Sequence, residues 1–122
     1  MKYYLIAFIL IVVGSCQSNI AFDSFDVDTW KKDRNGCQGS RMDLLPDLLN
    51  EQEKIIGLNQ KSVSRSLGRP DRQELYVRNQ KFFIYFVDPS ASCSEQIAKK
   101  QPRQLHLRFD AIGKVNEISV QY

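Results

Sequence analysis

Hydrophobic positions follow three different periods along this 122-residue chain. From Tyr3 to Val13 they are continuous, eleven in a row. A helix that spans a bilayer needs about 20 such residues, so the run predicts the apolar stretch of a signal peptide, with Lys2 as its positive flank. Between Phe25 and Leu67 the apolar residues recur at helical spacing. A first helix is predicted over residues 25–34, capped by Asp26 or Asp28 and ended by Asn35-Gly36. A second run begins at Ser40 and carries Met42, Leu45, Leu48, Leu49, Ile55 and Ile56 on one face, with Gly57 at its end. Pro46 lacks the N–H that would bond the Met42 carbonyl, which predicts residues 40–45 as a separate turn and Pro46 as the opening of the main helix. A third helix is predicted from the Asn59 cap through Val63 and Leu67 to Gly68, with Pro70 preventing its continuation.

After Pro70 the period drops to two. Residues 74–78 and 81–87 flank Asn79-Gln80, a two-residue hairpin turn. The run from Phe82 to Val87 is apolar on both faces, as a central strand is. Residues 88–102 form a long loop. Leu105, Leu107 and Phe109 alternate with Gln104, His106 and Arg108, and Val115, Ile118, Val120 and Tyr122 form a last strand. The pattern predicts an α+β fold of N-terminal helices packed on a three- to four-stranded antiparallel β-meander.

The end of the opening apolar run, Val13-Gly14-Ser15-Cys16, resembles the signal of bacterial lipoproteins. That resemblance implies a diacylglyceryl group on the Cys16 sulfur and cleavage before Cys16. Residues 1–15 are then a signal peptide, 16–24 a lipidated tether and 25–122 a single α+β domain. Gln17 after the lipid-bearing Cys implies the outer membrane rather than the inner one. The other reading is an ordinary secretory signal in which Cys16 carries no lipid. Two or more acyl chains anchor durably where one is marginal. Exported chains mature in an oxidising compartment, so Cys37 and Cys93 are expected to form a disulfide; two free thiols are the alternative. With no C-x-x-C and one His, a zinc site would need carboxylates as well.

Residues 57–63 (Gly-Leu-Asn-Gln-Lys-Ser-Val) and 67–71 (Leu-Gly-Arg-Pro-Asp) resemble the helix-to-strand segment of the SmpA/OmlA (BamE) lipoproteins, a group similar in fold to the β-lactamase-inhibitor-protein repeat. The resemblance implies helices followed by a three-stranded sheet and a role in outer-membrane assembly. The helical region before Gly57 and the 88–102 loop exceed that pattern.

Seventeen basic against fourteen acidic residues give a net charge of +3, too balanced for a nucleic-acid binder. Arg65, Arg69, Arg72, Lys99, Lys100, Arg103 and Arg108 form either a face for an acidic partner or a solvated surface. His106 is the sole histidine, and the strand alternation puts it beside Arg108 on the polar side of the sheet. The acid pairs Asp26/Asp28 and Glu51/Glu53 read as ordinary helix charge. Phe83 and Tyr85 join His106 and Arg108 as candidate binding residues if they face away from the helices; core packing is the weightier reading for both. No cofactor is implied. The sequence thus predicts a lipid-anchored cell-envelope protein, reached by membrane and protein partners rather than by nucleic acid or a small substrate. It would act as a non-enzymatic interaction or outer-membrane assembly module. Inhibition of an envelope enzyme, or a scaffold role, is the alternative.

Overall fold

A computed structural model describes residues 20–122. The signal-peptide, cleavage and Cys16 expectations lie outside those residues. Three helices, α1 (Val27–Lys32), α2 (Ser40–Asn50) and α3 (Gln60–Leu67), precede four strands, β1 (Arg72–Tyr76), β2 (Gln80–Phe86), β3 (Gln104–Phe109) and β4 (Val115–Gln121). The strands form one antiparallel sheet in the order β1-β2-β3-β4, with the helices layered on one side. This is the expected α+β meander.

Local chemistry accounts for the helix ends. The Asp26 carboxylate accepts from the Thr29 N–H at 3.2 Å, which makes Asp26 rather than Asp28 the cap of α1. Asn59 caps α3 by accepting from the Ser62 N–H at 2.9 Å. Pro46 does not divide α2. It and Met42 both lie on the exposed side, where water can take the carbonyl that proline leaves unbonded. The second run does end early, at Asn50, and a 3-10 turn (Gln52–Lys54) leads on to Gly57. In the first hairpin the left-handed residues are Arg78 and Asn79, one position before the expected pair. The irregular spacing from Val115 to Ile118 is a bulge: Phe109 pairs with Val115 but Arg108 pairs with Glu117, so Asn116 is extra.

The core lies between the layers. Trp30, Leu48, Ile55, Val63 and Leu67 descend from the helical side onto Phe83, Tyr85, Val87, Leu105, Leu107 and Phe109 of the sheet. Phe83 and Tyr85 are therefore not surface residues, and their candidacy for binding beside His106 and Arg108 is corrected. Strand alternation turns both toward the helices, where Phe83 meets Phe109 edge-on and the Tyr85 hydroxyl donates to the Gly68 carbonyl at 2.8 Å. A buried side chain of this size contributes about 1.5–3 kcal/mol.

A charged network is embedded in this apolar layer. Arg41 is fully buried, its guanidinium 4.9 Å from the Trp30 ring centre. It pairs with the equally buried Asp71 carboxylate at 2.6 Å and donates to the Trp30 and Phe86 carbonyls at 3.1 Å each. Asp71 also accepts from the Asn35 and Phe86 N–H groups. Asp33 accepts from the Gln38 and Arg41 N–H groups, which shapes the turn between α1 and α2. Beside that turn, Gly36 lies so close to the strand exit that a Cβ there would sit 2.6 Å from the Asp88 carbonyl oxygen. Cys37 and Cys93 are disulfide-bonded, tying the turn to the loop after β2.

Two further carboxylates pin segments that have no regular structure. Glu51 accepts from the N–H groups of Asp23, Ser24 and Phe25 and from Lys54, so it is not ordinary helix charge. Lys54 in turn holds the Ala21 carbonyl at 3.1 Å. Asp88 holds Arg103 through two side-chain bonds at 2.8 and 2.9 Å, closing the base of the long loop.

Removing one partner of a buried ion pair leaves an uncompensated charge, at a cost of about 3–5 kcal/mol. Asp71→Ala is expected to lower the unfolding free energy by about that amount in urea titrations, whereas the exposed Arg72→Ala should change it by less than about 1 kcal/mol. The Lys54 ammonium holds the Glu51 carboxyl down at about 2, and the Arg103 guanidinium does the same for Asp88. Both acids titrate higher in the unfolded chain, so their stabilisation is complete above the ordinary carboxylate range and disappears as pH falls toward 2. Urea midpoints should therefore drop between pH 5 and pH 2.5, and the double variant Glu51→Gln/Asp88→Asn should flatten that slope.

Candidate functional site

The sheet face turned away from the helices is open, and β-strand register composes it. Glu74, Phe82, Arg108 and Glu117 stand in one cross-strand row. Arg72, Ile84, His106 and Ser119 form the next, and Phe86, Gln104 and Gln121 the third. Directly opposed residues share a face, so one period-2 pattern delivers all three rows to the same side.

The middle of this face is not bare polar surface. Ile84 is fully buried although it belongs to the open side and not to the main core. Around it, Phe82 meets Tyr76 edge-on at 5.3 Å and His106 at 5.5 Å, while the Arg72 guanidinium lies 5.6 Å from the Phe86 ring centre. The rim is charged but balanced: Arg72 pairs with Glu74 at 3.1 Å and Arg108 with Glu117 at 2.8 Å. Tyr76, Phe82, His106 and Tyr122 border a shallow depression of about 440 Å³, floored and edged by Gln104, Glu117, Ser119 and Gln121. Tyr122 is 85% exposed.

Polar side chains lining the depression bond to one another along each strand. The His106 Nε2 is 2.9 Å from the Gln104 carboxamide oxygen, and the Ser119 hydroxyl accepts from Gln121 at 3.1 Å. Ser119 and His106 are cross-strand neighbours, and each is bonded to a side chain of its own strand. Burial pushes the His106 imidazole below its ordinary value, Glu74 opposing and Arg72 adding to that effect. Among the described residues no group of three or more His, Cys, Asp or Glu side chains is placed to hold a metal ion.

The structure brings His106 and Arg108 onto this face as the alternation predicts, and it separates them from Phe83 and Tyr85 by the thickness of the sheet. The basic residues do not share a face. Arg72 and Arg108 belong to the open side, Arg103 and Lys99 to the Asp88 carboxylate, and Arg65 to a smaller depression on the helical side with Ile20, Val27, Lys31 and Ser66. Tyr76 and Phe82 are functional candidates that sequence reasoning passed over. Their signal was the period of two, which puts Tyr76 on the same face as Glu74 and Phe82 on the same face as Ile84, the cross-strand partner of His106.

A neutral, partly buried imidazole is expected: the His106 ring protons should titrate by NMR with a midpoint below about 6.5, and Glu74→Gln should lower that midpoint further. Comparison with protein-family models, curated proteins and solved structures found no match to this chain.

Proposed function

We propose that this chain is a lipid-anchored cell-envelope protein, held at the outer membrane through Cys16, that works as a non-enzymatic interaction module. The observation that supports this reading is the opposition of two faces. Residues 21–25 are clamped to the helical side by Glu51 and Lys54. The recognition groove occupies the other side of the sheet. Four residue-to-residue steps lead from Cys16 to Ile20 and span at most about 14 Å. An anchor that short keeps the helical layer against the membrane and turns the open sheet face outward, toward a protein partner. The resemblance to the SmpA/OmlA lipoproteins supplies the outer-membrane assembly form of the same reading. Among the described residues no helix is long and apolar enough to cross a membrane, so attachment in this reading depends on the lipid.

Cys16→Ala is expected to move the protein from the membrane to the soluble fraction after carbonate washing. Retention of the variant in the pellet would sink the anchor. A photocrosslinker at position 82 should capture an envelope protein when the same reagent at Lys61, on the helical side, does not.

A further inference from the structure

The two edges of the sheet are treated differently. The start of β4 is covered by the chain entering α3: the Gly57 N–H donates to the Val115 carbonyl at 2.8 Å, the Val115 N–H to the Leu58 carbonyl at 2.9 Å, and Asn59 bridges to Lys114. β1 has no such cover among the described residues. All five of its side chains are exposed, and Leu75 is 86% exposed. An uncovered edge strand is a template for pairing.

We propose that two copies of this chain pair through β1, antiparallel and centred on Gln73, to make one continuous eight-stranded sheet. Charge selects both the occupant and the register. With Gln73 opposite Gln73 of the second copy, Arg72 faces Glu74 and Glu74 faces Arg72, so both intrachain pairs exchange for two cross-strand pairs. Centring on Glu74 would oppose two carboxylates, and centring on Leu75 would oppose Arg72 to Arg78. Opposite charges directly across a ladder stabilise it and like charges destabilise it. Within β1 itself, the Gln73-centred register is the one that sets opposite charges across the ladder, and it is self-complementary, as a two-fold interface requires.

The symmetry carries a consequence for orientation. A two-fold axis perpendicular to the sheet leaves both helical layers on one side and both open faces on the other. Ile20 of both chains then lies on the same side, which suits two anchors in one membrane; this clause rests on the proposed lipid attachment. Confinement to one surface raises the effective concentration and offsets the small area of a pairing in which three β1 residues, Arg72 to Glu74, face their counterparts.

The test is Gln73→Cys in the full chain, oxidised mildly in cells and resolved without reductant. A band at twice the chain mass is expected, absent when the cysteine is placed instead at Gln96 in the long loop. Adding Arg72→Glu or Glu74→Arg alone should cut that band by about fivefold or more, and the double exchange Arg72→Glu/Glu74→Arg should restore it. Thermal unfolding of the single variants should be unchanged, since both side chains are exposed. No doubled band, a band indifferent to the single reversals, or a crosslink to a species of another mass would each overturn the pairing. Fractionating the same cells reports the anchor separately: a membrane-bound chain without the doubled band refutes the pairing and leaves the anchor standing.

Discussion

The fold turns on a buried guanidinium. Arg41 enters an apolar layer where an unpaired charge would be prohibitive, and Asp71 meets it there at 2.6 Å. Each partner then recruits backbone from a different part of the chain. Arg41 reaches the end of α1 at Trp30 and the end of β2 at Phe86, while Asp71 reaches the α1–α2 turn at Asn35 and the same strand end. Residues 30–41, Asp71 and the end of β2 at Phe86 are thereby set at one point. The helical layer cannot slide over the sheet without stripping a charge of its partner. The hydrophobic contacts around it are individually non-directional, so this network decides which arrangement of them is occupied.

Two other carboxylates extend the same logic to segments without regular structure. Glu51 collects the amide groups that precede α1, and Asp88 closes the long loop on Arg103, with the disulfide pinning that loop to the turn before α2. The irregular parts are all fastened on the helical side or at one end of the sheet. What is left uncovered is the open face, with its aromatic groups around Ile84, the β1 edge and the part of β4 beyond Val115. The division between a fastened side and a free side is the property from which the proposed orientation follows.

Much of this was legible from local rules. Asn59, Gly68 and Pro70 mark α3 because caps and breakers act within a few residues, and Leu105, Leu107 and Phe109 point inward because a strand alternates. The same alternation put His106 and Arg108 outside. It failed to sort Phe82 to Val87, where both faces are apolar and periodicity carries no direction; only packing against the helices shows that Phe83 and Tyr85 go in. Glu51 read as ordinary helix charge, and no local pattern marked Arg41 or Asp71 for burial, since nothing local distinguishes a carboxylate that binds a remote amide from one that binds water. Pro46 misled for a related reason: proline is costly in a helix where its unbonded carbonyl is buried, and the sequence does not say which side of α2 meets solvent.

The sequence by itself determined the order of helices and strands, the inward residues of β3 and the pair of cysteines available to bond, because each depends on spacing or on a residue's own chemistry. The tertiary structure alone decided which charges are buried, which apolar face of β2 is the core face, how Tyr76 joins Phe82 and His106, and which sheet edge stays uncovered. Those depend on what lies opposite across the sheet or across the core. Opposition is a matter of register and packing between segments far apart in the chain, and no local pattern encodes it.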